Sequence, residues 1–548
     1  MNTDVSSVDA HAHHEIAAIR ATVENAGMPD TLGDAIRLAA TAHADKVAGV
    51  WFDEGAELTY RQIDEQASRL ACSLLAMGVR KGTHVAVMLG NLPAFPVTWV
   101  ALARLGAVMI PVNTAYRLND LHFVLTDSDA QFFIVADEYL KLFEQIEDRL
   151  ELLTRRGVII HGDAQDGFAY WQQLVDDGQP DFEPPFAVSR TDLLNIQYTS
   201  GTTGFPKGCM LSHDYWLLLT QVAAAPHINN NSMKNVLIWQ PFFYMDGMWL
   251  FLLALQLGGT AHIAKRMRLN QFYNWLEHRD IHYCIFPEAA LRSQHAGPQD
   301  ARLSLQYASI YGWSHASREE FKKRFSAIAR EGYGMTEIGL ALLVPNGADE
   351  RAMDKTCGLP VAHRAFRIVD ENGHDVPDNM PGELMVSGRS ILWGYYKRPE
   401  ENARAFDGHW FRTGDVFQRD SAGFYYLVGR SKDMIKRSGE NVAAREVEAT
   451  LLENSHIAEA AVVGVPDPVR GEEVKAYILL KEGIAAEHCP PEAIIAHCQQ
   501  LLAPFKVPRY ITYVDAFPRT PSRKIQKPSL VKLDAEQQWP THDARASR

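Results

Sequence analysis

The sequence has no excess of positive charge, no closely spaced cysteines and no apolar run long enough to cross a bilayer. Its 54 lysines and arginines are outnumbered by 67 aspartates and glutamates, a formal net charge of −13. That balance argues against a general nucleic-acid binder or a protein held to an anionic membrane surface, while leaving room for a local basic pocket for phosphates. The 6 cysteines, Cys72, Cys209, Cys284, Cys357, Cys489 and Cys498, lie far apart with no CxxC pair. Neither a disulfide framework nor a zinc ribbon is expected, and reduced thiols in a cytoplasmic enzyme are the default. The most apolar stretches, 85–112 and 248–257, are interrupted (Asn91, Pro93, Pro96, Arg104) or too short, because a spanning helix takes about 20 residues. The amino terminus carries Asp4, Asp9 and Glu15 around no apolar core, so it does not read as a secretory signal. His11, His13 and His14 read as part of a mobile polar tail rather than as a metal site.

What is present is an ordinary globular composition, 47% hydrophobic and 22% charged over 548 residues, enough for more than one domain with a sizeable core. Short apolar runs alternate with helix-like stretches. His84 to Leu89, a helix near Ala94 to Leu105, and Val108 to Val112 form a strand–helix–strand unit. The pattern returns at 131–135, 158–160, 236–239, 260–264, 282–286 and 308–311. A mostly parallel sheet architecture flanked by helices follows, an α/β fold. Residues 366–425 are richer in Gly, Asp and β-branched residues and predict a more antiparallel, β-rich portion. Beyond Gly429 the pattern restarts as helix, strand, strand, helix, strand, enough for a small α+β domain. The division drawn is 1–430 and 431–548, and the tail after Asp534 reads as polar and loose.

The stretch Tyr198-Thr-Ser-Gly-Thr-Thr-Gly-Phe-Pro-Lys-Gly208 organises the chain. It follows the apolar run Leu193 to Ile196 and precedes a helix-like run from Tyr215. A strand emptying into Thr199, Ser200, Gly201, Thr202, Thr203 and Gly204 offers backbone N–H groups and hydroxyls, the glycines allow close approach to an anion, and Lys207 adds charge. The loop suits nucleotide phosphates, although it is not a Walker motif: the glycine-to-lysine spacing differs and no Ser or Thr follows the lysine. Further strings are Tyr333-Gly-Met-Thr-Glu337, Trp410-Phe-Arg-Thr-Gly-Asp415, Gly429-Arg-Ser-Lys-Asp-Met-Ile-Lys436 with Ser438-Gly-Glu-Asn441, and Pro518 to Lys527. Each alone is weak, since exposed carboxylates and lysines are the rule. Together and in this order they are specific.

The set resembles the adenylate-forming superfamily of acyl-CoA synthetases, peptide-synthetase adenylation domains and beetle luciferases, from about Leu58 to Lys527. The phrases Met434 to Val442 and Pro504 to Arg509 are most similar to the crotonobetaine/carnitine-CoA ligase branch. The resemblance implies a large amino-terminal domain and a small, mobile carboxy-terminal one hinged near Lys432. It also implies ATP, Mg²⁺ and coenzyme A as reactants. Thr199 to Lys207 would hold the β- and γ-phosphates, Tyr333 would stack on adenine beside Gly334, and Thr336 would contact phosphate or acyl carboxylate. Glu337 would hold Mg²⁺, a cation that prefers oxygen ligands. Asp415 and Arg430 would bind the ribose, Lys524 matches the catalytic lysine, and Lys436, Ser438 and Gly439 would line the pantetheine tunnel once the small domain swings.

Three departures from the family pattern stand out. Arg523 replaces a glycine before Lys524, Tyr244 replaces a histidine, and Gly312-Trp-Ser-His315 replaces a Gly-Ala-Ala-Pro-like segment bordering adenine and the acyl pocket. Trp313, with Trp239 and Tyr244 nearby, predicts a short pocket that excludes long fatty acyl chains; the alternative is that Trp313 turns into the core. The expected activity is an ATP-dependent acyl-CoA ligase for a small or medium carboxylic acid, with no nucleic-acid partner, no membrane span and a homodimer left open. Alternatives are an enzyme loading a separate carrier protein and a catalytically impaired nucleotide-binding regulator.

Overall fold

Alternation along the strands decides how the layers stack. In His84–Met88 the side chains of Val85 and Val87 enter one core while Ala86 and Met88 enter another, as a period of two requires when both faces of a sheet are covered. The computed structural model describes residues 5–163, 165–199, 206–228, 230, 232–313, 315–354, 356–370, 372–430, 434–519, 525 and 527–545. His84–Met88 lies in a seven-stranded sheet ordered Ala169–Tyr170, Val158–His161, Phe132–Ala136, His84–Met88, Val108–Pro111, Leu193–Thr199, Lys207–Ser212. All its pairings are parallel except the last. A nine-stranded sheet pairs Ile328–Met335, Tyr307–Ile310, Tyr283–Ile285, Asn235–Ile238, Thr260–Ile263 and Val47–Trp51 in parallel, with antiparallel strands at both edges.

Between the two sheets lie helices whose residues share one core with both, among them Ala94–Arg104, His213–Ala224 and Met245–Gln256. Every residue of Ala94–Arg104 is buried, which explains a run that is apolar nearly all round. Outer helices Leu118–Asp127 and Asp137–Glu144 cover the far face of the first sheet. Phe272–His278 and His315–Arg324 cover that of the second. Caps fix several entries: Thr59 and Gln62 form a reciprocal capping box on Tyr60–Ala76, and Ser212 accepts from the Tyr215 N–H at the start of His213–Ala224. Such contacts satisfy amides that the first turn leaves without partners.

The β-rich portion is a five-stranded antiparallel sheet of Arg364–Val369, Gly382–Gly388, Phe406–Asp407, Trp410–Arg419 and Tyr425–Arg430. From Met434 the chain builds a fourth, six-stranded sheet on its own core of Ile435, Val447, Val462, Val474, Ile478, Ile494 and Ile511. The chain is thus a mixed α/β protein with parallel sheets, added antiparallel sheets and a carboxy-terminal domain. No helix among the described residues is long and apolar enough to cross a membrane.

Both ends correct the sequence reading. Residues expected as a mobile tail form the helix Val5–Asn25, which buries Ala12, Ile16, Ile19 and Val23 against Leu218, Val222, Val344 and Phe424. Asp9 pairs with Arg351 at 2.8 Å, Glu15 accepts from the Asn346 and Gly347 N–H groups, and His13 meets the Ala422 carbonyl at 2.7 Å. The carboxy-terminal residues form the helix Lys527–Gln537 and the edge strand Thr541–Asp543, where Arg509 donates twice to Asp543 at 2.9 Å.

Candidate active site

The phosphate loop joins two strands that zip together up to the pair Thr199 and Lys207, so its two ends are held side by side. Ser200, Gly201, Thr202, Thr203 and Gly204 lie outside the described residues, as do Lys432, Arg523 and Lys524, and of Arg430 only the backbone is described. The Lys207 ammonium sits 4.9 Å from the centre of the Tyr395 ring. The Tyr395 hydroxyl donates to Glu337 at 2.9 Å. One tyrosine thereby joins the loop's lysine to the carboxylate that follows Tyr333 by four residues. Burial, and then the Glu337 carboxylate, push both the Tyr395 phenol and the Cys209 thiol far above their ordinary values, so both stay neutral.

Tyr333 lies on Ile328–Met335, the last of the parallel strands of the nine-stranded sheet, and is 8% exposed. Its hydroxyl donates to Asp415 at 2.8 Å and its ring meets Phe417 edge-on at 4.8 Å. Asp415, 4% exposed, pairs through its backbone with Arg430 on the neighbouring strand. Gly334 is required by space: a Cβ there would stand 2.5 Å from the Gly339 carbonyl oxygen. The Thr336 carbonyl accepts from Tyr215 at 2.9 Å. The Gly312 amide donates to Glu331 at 2.8 Å, and Glu331 is itself clamped by Arg318. Among the predicted nucleotide-side residues whose side chains are described, Tyr333 meets Asp415 directly and Glu337 meets Lys207 through Tyr395, the two sets being joined by the short string Tyr333 to Glu337.

The carboxy-terminal domain reaches this region through a hairpin. Met434–Arg437 and Glu440–Ala443 pair antiparallel, and the turn has Ser438 at φ 53° and Gly439 at φ 85°. Two left-handed residues in a two-residue turn match the twist of the flanking strands, and glycine takes the second without strain. Just past the turn, Glu440 accepts from the hydroxyl of Tyr244, which also accepts from Asn113 at 2.8 Å. Burial raises the Glu440 carboxyl against the pull of Tyr244 and Lys506. Lys506, 2% exposed, completes the seam, with Glu446 at 2.5 Å and Asp120 at 3.3 Å. Burial alone would lower its pKa, but Glu446 and Asp120 outweigh that and hold it above the ordinary lysine value. Lys436, exposed, lies on the first strand of the hairpin.

On the acyl side the expectation for Trp313 is corrected. Its indole is 2% exposed and lies edge-on to Phe286 and Phe321, 5.8 and 5.7 Å away, within the outer aromatic core. The aromatic neighbours in that layer account for the burial, and the core alternative holds. Trp239 is half-buried and donates to the Ile285 carbonyl at 2.9 Å. Tyr244 is the one of the three that touches another candidate element. Sequence reading missed Tyr395, Asp120 and Lys506. Tyr395 and Asp120 sit in no noted motif, the phrase Pro504 to Arg509 gave Lys506 no role, and their partners lie far along the chain.

A single carboxylate is what an Mg²⁺ ion needs from protein when phosphates and waters fill its other positions. Glu337, 7% exposed and within reach of Lys207's surroundings, fits that requirement. Among the described residues no cluster of three or more His, Cys, Asp or Glu forms a self-sufficient metal site.

Comparison with known proteins supplies the family. The family described as AMP-binding enzyme matches residues 36–396, and the AMP-binding enzyme C-terminal domain matches 446–524. The chain is 31% identical to YngI of Bacillus subtilis, covering 91% of this chain and 96% of that one. It is 30% identical to a crotonobetaine/carnitine–CoA ligase of Citrobacter koseri, covering 86% and 93%. Among solved structures, o-succinylbenzoate CoA synthetase of Bacillus subtilis bound to its product analogue OSB-NCoA superposes with a TM-score of 0.79 at 22% identity, covering 92% of this chain and 98% of that one. The same synthetase with its acyl-adenylate intermediate gives 0.64 at 23% identity over the same shares. The chain belongs to the AMP-binding enzyme family and is an AMP-forming acid–thiol ligase of the acyl-CoA synthetase type.

Proposed function

We propose that the enzyme adenylates a small or medium carboxylic acid at the wall formed by Lys207, Tyr333, Glu337 and Asp415, then passes the acyl group to coenzyme A. The observation that carries this is the pair of contacts Tyr333–Asp415 and Glu337–Tyr395–Lys207, which join the string Tyr333 to Glu337 to two others far from it in sequence. In the first step a substrate carboxylate oxygen bonds to the α-phosphorus of ATP and the bond to pyrophosphate breaks. Negative oxygens converge, so the protein's work is alignment and charge neutralisation. Lys207 and the loop from Thr199 bind the outer phosphates, and Tyr333 and Asp415 orient adenosine with Arg430. Glu337 would hold Mg²⁺, which supplies positive charge to the phosphate oxygens. Lys524 supplies charge at the reacting phosphate. In the second step a thiol sulfur bonds to the acyl carbon, AMP leaves, and the thiol proton passes to solvent or to AMP.

The two steps use different faces of a carboxy-terminal domain that begins near 431 and swings about Lys432. Two observations support reading the present arrangement as the thiol step. The 434–443 hairpin is seated at Tyr244. The superposition is also better on the product-analogue complex than on the adenylate complex at equal coverage. ATP–pyrophosphate exchange over a panel of acids, followed by thioester yield with free coenzyme A and with a carrier protein, tests the proposal. Acid-dependent exchange without any thioester would overturn the second half, and no exchange with any acid would overturn the whole.

A further inference from the structure

Residues 345–353 are held from two sides. From outside, the amino-terminal helix Val5–Asn25 grips them. Glu15 accepts from the Asn346 and Gly347 N–H groups at 2.9 and 2.8 Å, and Asp9 accepts twice from the Arg351 guanidinium at 2.8 and 2.9 Å. Asp420 takes the third guanidinium nitrogen at 3.1 Å. From inside, Arg330 donates to the Pro345 carbonyl at 3.0 Å, Arg318 donates to the Ala352 carbonyl at 2.8 Å, and His315 meets the Met353 carbonyl at 3.2 Å.

Arg318 carries the contact inward. It is 4% exposed, and its guanidinium also donates to the Trp313 carbonyl at 3.3 Å and to one oxygen of Glu331. The other oxygen of Glu331 accepts the Gly312 N–H at 2.8 Å. One buried ion pair thus fixes the Gly312 amide and the Trp313 carbonyl, and the Trp313 indole anchors the same segment in the aromatic core. Stability alone is a poor reason for such a pair, because two buried charges regain little beyond what their lost hydration costs. What the pair supplies is geometry, since a planar fork holds several acceptors in one arrangement. The segment so held borders open space. Gly312 has φ 66°, and among the described residues a Cβ there would meet nothing within 4 Å. Ile310 pairs in parallel with Glu331, so Gly312 and Tyr333 each stand two residues past the same pair. Ligands of α/β sheets bind beyond the carboxyl ends of parallel strands, which is where both lie.

We propose that the amino-terminal helix braces the nucleotide site, acting through Arg351 on residues 345–353 and through Arg318 and Glu331 on the backbone of Gly312. Asp9, Arg351, Arg318 and Glu331 are then positioning residues for ATP rather than catalytic ones. This rests on the adenylating function proposed above, in which Tyr333 and Asp415 orient adenosine, and adds remote residues that set how well the nucleotide is held. The competing role is stability alone, with the helix serving only to cover Leu218, Val222, Val344 and Phe424.

The test is calorimetric binding of ATP with Mg²⁺ to the full chain without any acid, together with acid-dependent ATP–pyrophosphate exchange. Arg351→Gln should weaken ATP binding roughly three- to tenfold. KM for ATP should rise by the same factor, with kcat and the ranking of acids unchanged, and Arg351→Lys should recover most of the loss. Glu331→Gln should also weaken ATP binding. Combined with Arg351→Gln it should be no worse than the poorer single variant, because both interrupt one path. Linkage further requires that ATP slow amide hydrogen exchange in 5–25 and 345–353 of the wild-type chain, a readout that needs no variant to fold. Unchanged ATP affinity in a folded Arg351→Gln, multiplied losses in the double variant, or amides of 5–25 indifferent to ATP overturns the brace while the adenylating function stands. A wild-type chain that binds no ATP, or shows no exchange with any acid, overturns that function instead.

Discussion

Two regions of the amino-terminal part of the molecule treat their polar groups differently. Around the motifs assigned to the nucleotide, Tyr333 is answered by Asp415, Glu337 by Tyr395 and Lys207 by the Tyr395 ring. By contrast, Asp246 at the start of Met245–Gln256 accepts only from an indole N–H among the described contacts, and Tyr311 leaves nearly half its surface open. A pre-satisfied region suits a ligand common to all turnovers, because donors and acceptors already in place need no reorganisation when it binds. A region left open has that reorganisation still to make.

The comparison can be broken or sharpened by experiment. Lys524→Ala should cost about 10²–10³-fold in pyrophosphate exchange and do so equally for every acid. Thioester formation from supplied acyl-adenylate should fall far less; loss of both half-reactions together would remove the lysine from the first step. Acid should undermine both regions at once through the scaffold. Burial lowers the pKa of His213 and of His227 to about 4, against about 6.5 in the unfolded chain. The unfolded state thus binds more protons between those values. Stability from each ring is complete above about pH 6.5 and drains away toward pH 4, by about 3 kcal/mol per ring. Chemical denaturation across pH 4–7 checks this, and His227→Phe should flatten the slope.

Asp415→Asn should raise KM for ATP about tenfold while leaving the ranking of acids unchanged; a changed ranking would mean that the two regions are not independent. The smallest effect belongs to Tyr244→Phe, which removes the hydroxyl that joins Asn113 to Glu440. Roughly 1 kcal/mol should be lost, as a several-fold drop in the thioester step with exchange nearly intact. An equal drop in exchange would detach the hairpin contact from the second step.

Much of the fold was readable because buried parallel strands leave short apolar runs between helices. His84–Met88, Phe132–Ala136 and Asn235–Ile238 fall within one or two residues of the expected runs. Lys207–Ser212 escaped notice because its glycine, lysine and serine look like loop. The amino-terminal helix carried its signal in the spacing of Ala12, Ile16, Ile19 and Val23, hidden among three histidines and acidic residues whose partners, Arg351 and the 346–347 amides, lie more than 300 positions away. The site was legible wherever several contributing residues share a short string, as in Tyr333 to Glu337. It was illegible where one residue acts alone: Tyr395 meets Glu337 across 58 positions and Lys506 meets Asp120 across 386. Trp313 shows the other limit, since a sequence gives the size of a side chain but not which way a connecting segment turns it.

The seam at Lys506 has a mechanical meaning. Prying apart an oily joint exposes grease to water and is resisted all the way. Here one ammonium and two carboxylates, kept dry only by each other, regain their water as the faces part, and that return of hydration offsets much of the attraction given up. A joint of this kind closes in one defined register and yet releases readily. The two-face cycle proposed for this enzyme would draw on both properties.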